Sequence, residues 1–270
     1  MNIPYVNIKR QYQQEKNHLL HIIDNALKKG SWVGGDEIEK FEKNIAKICN
    51  TKYCVALNSG TDALTLALHL LGVRRGDEVI TPSNSFIAST AVITHLGAKP
   101  VFVDVKNDQS IDENEIEKKI TKKTKVIMPV HLTGRMCSMD KIMSISKKYN
   151  IPVVEDCAQS IMSKYKKKMS GAWGDVGCFS AHPLKNLNAV GDSGYLTTNR
   201  KDIFDKVKSL RSHGMEESRD NVKSFGFVSR MDNLQAAVLN YRLKSLDKII
   251  KIRRRNVEVY LKNLDLKKIF

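Results

Sequence analysis

The sequence predicts an α/β fold, a mostly parallel seven-stranded sheet sandwiched by helices. Short apolar runs rich in β-branched residues recur at 53–57, 78–81, 100–105, 125–131, 151–155, 176–180 and 194–198. Helical stretches at 61–71, 86–96, 111–120 and 139–149 separate most of them. The runs are continuously apolar rather than alternating, which is the pattern of parallel strands covered on both faces.

The flanking elements follow from periodicity and punctuation. An extended start is expected over 3–8. A helix is expected over 11–28, with Leu19, Leu20, Ile23 and Leu27 on its apolar face and Gly30 ending it. Ser31-Trp32-Val33-Gly34-Gly35 reads as a turn, after which Asp36 is expected to cap a helix buried through Ile38, Phe41, Ile45 and Ile48. Beyond the last strand come a helix over 200–213, a polar glycine-containing stretch over 214–230, and a strongly helical stretch over 231–264. Residues 1–240 are expected to form a large domain, and 241–270 the start of a smaller, incomplete one.

Composition excludes several classes. The net charge of +16 could attract nucleic acid, but the lysine clusters at 118–125, 164–168 and 248–255 carry no interleaved aromatic residues. No nucleic-acid partner is expected; a positive field suits an anionic substrate or cofactor. Cys49, Cys54, Cys137, Cys157 and Cys178 are odd in number and lack CxxC spacing, so neither a disulfide framework nor a metal site is indicated. No apolar run has signal-peptide or membrane-spanning length. A reduced, cytoplasmic protein is expected.

In parallel sheets ligands bind at the carboxyl ends of the strands. That rule selects 58–62, 82–86, 156–159 and 180–185. Ser59, Gly60 and Thr61 stand between a strand and a helix, where free first-turn amides favour a phosphate, although Ser and Thr there also serve as plain caps. Glu155 and Asp156 end a buried strand and need partners. A carboxylate there can face a pyridinium nitrogen or serve a structural ion pair. Gln159 could donate to a ring hydroxyl, Ser180 to the phosphate, and Phe86 could stack on a flat ring. Lys185 follows His182, Pro183 and Leu184, a setting that holds an amine near its neutral form. Such a lysine forms Schiff bases with carbonyl compounds, pyridoxal phosphate among them. His182 packs, or works on substrate.

These motifs together resemble a known family. Residues 58–64 (Asn-Ser-Gly-Thr-Asp-Ala-Leu), 76–82, 155–159 (Glu-Asp-Cys-Ala-Gln), Phe179-Ser180 through Lys185-Asn186-Leu187, and Arg230-Met231-Asp232 with 234–237 are similar to the DegT/DnrJ/EryC1/StrS family. The resemblance runs from about Ile3 to Leu264. It implies a fold type I, pyridoxal 5'-phosphate-dependent transferase that aminates nucleotide-linked keto sugars with glutamate as donor. Thymidine-diphosphate 3-keto-6-deoxyhexoses are the closest class, used for deoxyamino sugars or cell-surface polysaccharide. It also implies a homodimer with shared active sites. By position, Lys185 is the Schiff-base lysine, Asp156 pairs with the ring nitrogen and Gln159 lies near the phenolic oxygen. Ser59, Gly60, Thr61 and Ser180 hold the phosphate, Phe86 stacks, and His182 and Arg230 face the substrate. Relatives with a dehydratase reaction carry histidine in place of the lysine. Two features depart from the pattern. Val228 stands where relatives carry an asparagine that reaches the partner's phosphate, and the C-terminal domain is short. A cofactor- or nucleotide-sugar-binding homologue without turnover therefore remains an alternative.

Overall fold

The computed structural model describes residues 4, 6–216 and 220–264. Seven strands build its central sheet: β1 (Tyr53–Leu57), β2 (Glu78–Pro82), β3 (Lys99–Val103), β4 (Thr124–Ile127), β5 (Val154–Asp156), β6 (Val176–Ser180) and β7 (Gly194–Thr198). Their order is β3-β2-β4-β5-β6-β7-β1. β4 and β5 are joined by the parallel bridges Ile127–Val153 and Val130–Asp156. Only β7 runs antiparallel to its neighbours.

Strand alternation sends successive side chains to opposite faces. On one face Val55, Val79, Val126, Val154 and Leu196 pack with helices α3 (Gly60–Leu70), α4 (Ile87–His95) and α7 (Lys201–Leu210). The other face is covered in two parts. Cys54, Ala56, Phe179 and Tyr195 meet α2 (Asp36–Cys49) and α8 (Asn233–Leu243). Ile80, Val103, Ile127 and Val153 meet the short α5 (Glu113–Ile116) and α6 (Met139–Tyr149). The five cysteines are unpaired and buried. Among the described residues no helix is long and apolar enough to cross a membrane.

Several boundaries differ from expectation. Of the extended start over 3–8, Ile3 and Tyr5 lie outside the described residues, and α1 (Ile8–Lys29) already begins at Ile8. The cap of α2 is Gly35, at φ 122°, and Asp36 is the first helical residue. The run over 125–131 stops as a strand at Ile127 because Pro129 has no amide to donate. The helix expected over 111–120 is only the four residues of α5 and a 3-10 turn at Glu117–Lys119. The stretch over 231–264 divides at Lys244–Ser245 into α8 and α9 (Leu246–Asn263). Along α9 only Leu246 is buried, so the described part of 241–270 builds no core of its own.

One buried acid ties the middle of the sheet to the loop before β6. Glu155 Oε1 accepts from the amides of Trp173 and Gly174, both at 2.8 Å, and Oε2 from Gly171 at 3.1 Å. The buried ring of His131 meets Oε2 at 3.0 Å through Nε2. Its Nδ1 accepts from the Cys137 amide, so Nε2 carries the proton given to Glu155. We predict that Glu155→Gln, which turns an acceptor into a donor facing amides, lowers stability by about 2–4 kcal/mol in urea unfolding.

Candidate active site

Four strand ends meet at the carboxyl edge of the sheet. Leu57 ends β1, and Ser59 turns the chain into α3 with its Oγ accepting from the Asp62 amide at 3.0 Å. Ser59 is thus a cap. The free first-turn donors are the amides of Gly60 and Thr61, which have no partner inside the helix. The start of β6's outgoing loop closes on this turn. A Cβ at Gly60 would lie 2.8 Å from Ser180 Cβ, and a Cβ at Gly194 would collide with the backbone of Ser59 and Gly60. Glycine at both positions lets backbone pack against backbone, and this junction of the Gly60 turn with Ser180 is termed the cup. Ser193, next to Gly194, has a buried hydroxyl without a partner.

Arg230 stands beside the cup. It bridges Leu57 across an antiparallel pair, and its buried Nε has no partner. Ser229 hydrogen-bonds Asp62 of α3 at 2.7 Å and fixes this segment to the helix. Val228 pairs with Ser212 and is exposed.

Lys185 lies in a tight loop. Its amide donates to the His182 carbonyl at 2.8 Å, and the Ala189 amide returns to the Ala181 carbonyl at 2.8 Å. The buried Arg242 of α8 clamps the loop through the carbonyls of Asn188 and Ala189, with Glu15 of α1 neutralising it at 2.7 Å. Lys185, Ser180 and Gln159 line one cleft of about 670 Å³ with Leu184, Met162 and, from α9, Arg253 and Arg254. Burial pushes the Lys185 amine below the usual lysine range, and the Asp156 carboxylate opposes that shift. More of the neutral, nucleophilic amine is therefore present near neutral pH.

Asp156 is buried behind the cleft wall formed by Cys157 and Ala158. Its Oδ1 accepts from the Ala158 amide at 3.1 Å and its Oδ2 from Ser89 Oγ at 2.8 Å. Burial raises its pKa; these two donors, with His131 and Lys185 nearby, pull it back.

The structure thus gathers Gly60, Thr61 and Ser180 at the cup, and Lys185 and Gln159 in the adjoining cleft. Phe86 is 72% exposed at the N-cap of α4, one turn before Ser89. His182 stands apart from the cleft lining. Its Nδ1 accepts from the Leu184 amide at 3.2 Å, so its ring shapes the lysine loop. Ser85, Ser89, Ser193 and Gly194 were not singled out from sequence. Only the run Gly191-Asp192-Ser193-Gly194, two glycines around a small polar pair after the lysine loop, marked that neighbourhood.

These features fit pyridoxal phosphate. The Gly60 and Thr61 amides and the Ser180 hydroxyl supply donors for a phosphate beside the lysine cleft. Asp156 keeps acceptor capacity, and burial shifts the lysine toward its neutral form. Fold and site define a fold type I, pyridoxal-phosphate-dependent transferase. Residues 13–269 match the DegT/DnrJ/EryC1/StrS aminotransferase family. The chain is 40% identical to a dTDP-3-amino-3,6-dideoxy-alpha-D-galactopyranose transaminase of Aneurinibacillus thermoaerophilus, over 97% of this chain and 72% of the relative. It is 36% identical to a pleiotropic regulatory protein of Geobacillus stearothermophilus, over 98% of this chain and 71% of the relative. A crystal structure of a DegT/DnrJ/EryC1/StrS aminotransferase from Brucella abortus superposes with a TM-score of 0.92 at 32% identity, covering 97% of this chain and 72% of that one. The chain belongs to the DegT/DnrJ/EryC1/StrS aminotransferase family.

A Cβ at Gly60 forces the cup open. Gly60→Ala is expected to weaken pyridoxal-phosphate binding by about tenfold or more, the cost of one lost charge-assisted hydrogen bond. Fluorescence titration of the apoprotein measures this, with the far-UV spectrum unchanged as the control for folding.

Proposed function

We propose that this protein transfers an amino group from L-glutamate to a nucleotide-linked keto sugar. A thymidine-diphosphate 3-keto-6-deoxyhexose is the preferred acceptor class, and the product serves deoxyamino-sugar or cell-surface polysaccharide synthesis in the cytoplasm. The observation that carries the reading is a depressed-pKa lysine in a cleft backed by a buried carboxylate, with Ser180 of the cleft lining packed against the Gly60 turn. The name of the Aneurinibacillus relative supports the thymidine-diphosphate class.

The residues divide the work as follows. Pyridoxal phosphate, when bound, supplies a carbonyl carbon for an amine and a ring that accepts the electrons of a broken Cα–H bond. The Gly60 and Thr61 amides and the Ser180 hydroxyl hold the phosphate at the positive end of α3. Phe86 covers one ring face, and Gln159 donates to the phenolic oxygen. Asp156 keeps a proton on the ring nitrogen by presenting negative charge to it in a site closed to water. With the cofactor bound, Lys185 Nζ would hold its carbonyl carbon and, as a free amine, would move the proton between the donor's Cα and that carbon. Arg230, held beside the end of β1 by its bridge to Leu57, is assigned to an anionic substrate group. A homodimer with shared sites accompanies this reading, and residues from 241 onward begin a second structural unit that bounds the cleft through Arg253 and Arg254.

Two measurements test it. Protein loaded with pyridoxal phosphate is expected to show a visible band that Lys185→Ala abolishes; absence of the band in the parent protein overturns the assignment of Lys185. Incubation with glutamate and a panel of thymidine-, uridine- and guanosine-diphosphate keto sugars is expected to give an aminated thymidine-diphosphate product, with its ring position read by NMR. Keto-sugar consumption without glutamate, giving a dehydrated product, would replace transamination with a lyase reaction.

A further inference from the structure

A line of hydroxyls runs to the buried Asp156 carboxylate from the loop after β2. Ser85 Oγ and Ser89 Oγ lie 2.8 Å apart, and Ser89 Oγ lies 2.8 Å from Asp156 Oδ2. The proton positions follow from valence. Asp156 Oδ2 can only accept while ionised, so the single Ser89 hydroxyl proton points to it. Ser89 must then accept at its oxygen, and the Ser85 hydroxyl is the donor. Both bonds therefore point inward, toward the carboxylate.

Ser89 is 2% exposed and sits in the first turn of α4, whereas Ser85 is half-buried and immediately precedes Phe86. The line has one end at the aromatic residue proposed to cover the cofactor and the other at the carboxylate proposed to face its ring nitrogen. Oδ1 is held separately by the Ala158 amide. Each carboxylate oxygen thus has one fixed donor and keeps a lone pair, which sets the plane of the group.

We propose that Ser85 and Ser89 form a positioning relay that holds Asp156 ionised and oriented, and couples it to the loop bearing Phe86. This rests on the reading of Asp156 given above. Neither serine touches the reacting atoms. A hydroxyl donor stabilises the charged form of a buried acid, and a second hydroxyl polarising the first strengthens it. The titratable groups coupled to Asp156 are His131 after β4, the adjacent Cys157, Cys178 on β6 and Lys185 in the loop after β6; the serines are the uncharged members of its surroundings on the α4 side.

The test is a pH titration of the Asp156 carboxyl carbon by NMR in the apoprotein, which needs neither cofactor nor turnover. Ser89→Ala is expected to raise the Asp156 pKa by about one unit, the scale of one charge-assisted hydrogen bond. Ser89→Thr, which keeps the hydroxyl, is expected to restore it. Ser85→Ala, an exterior change that protects the test should Ser89→Ala fold poorly, is expected to give a smaller rise of the same sign. In the loaded protein, Ser89→Ala is expected to shift the pH dependence of the visible band. An Asp156 titration unchanged in a folded Ser89→Ala or Ser85→Ala protein overturns the relay. Because the apoprotein shift is read without amino transfer, a missing shift rejects the relay alone, and a missing visible band rejects only the cofactor reading.

Discussion

Two adjacent carboxylates at the end of β5 are buried with opposite fates, and the rest of the site is arranged around that difference. Strand alternation forces Glu155 and Asp156 to opposite faces of the sheet. An ionised carboxylate in the interior is tolerated only when its lone pairs are met by donors. Glu155 receives three backbone amides and the His131 ring, which fills it. Asp156 receives one amide and one hydroxyl and stops there. The satisfied acid is architecture: it pins the 171–174 loop and so the entry to β6. The incompletely satisfied acid keeps acceptor capacity that a ligand can complete, which is why the proposed chemistry is placed there.

The lysine depends on the same construction. β6 lies beside β5, and its outgoing loop carries Lys185 back over the cleft. That loop packs Ala181, Leu187 and Ala189 into the core and is fastened from outside by Arg242. The arginine is buried at 6% exposure and is tolerated because Glu15 neutralises it and two loop carbonyls accept from it. α1 and α8 therefore act on the site without lining the cup: they hold the backbone from which Lys185 projects. The amine itself feels two opposed effects. Burial favours its neutral form and Asp156 its charged form; burial dominates, leaving a lysine suited to both nucleophilic and proton-transfer roles.

Much of this was legible in sequence because strands and helix starts carry local signals. β1, β6, β7 and α6 fall on the expected residues, since each is bounded by residues that cannot continue it. Lys185, Asp156 and the Gly60 turn were legible because strand ends in a parallel sheet are where ligands bind. Other features were hidden for stated reasons. Pro129 interrupts hydrogen bonding inside a run whose side chains still read as strand. Ser59 satisfies the reading of a cap as well as that of a phosphate ligand: its Oγ accepts from the Asp62 amide, which leaves its hydroxyl proton free to donate. His182 looked equally suited to substrate and to packing; its Nδ1 is occupied by the Leu184 amide.

The serines were the least legible, and the reason is instructive. A serine in the first turn of a helix is ordinarily solvated or caps the backbone, and nothing local distinguishes one that does neither. Ser89 is recognisable only once a carboxylate 67 residues away is placed beside it. The same holds for Gly194, whose need for a missing side chain is visible only against the Ser59–Gly60 turn. Residues that react announce themselves by their chemistry and position along the chain. Residues that set the charge and orientation of those groups have unremarkable chemistry, and their meaning comes from the partner they meet across the fold. A site of this kind is therefore read from sequence at its reactive centre first, while its supporting shell becomes readable only where long-range packing supplies the second partner.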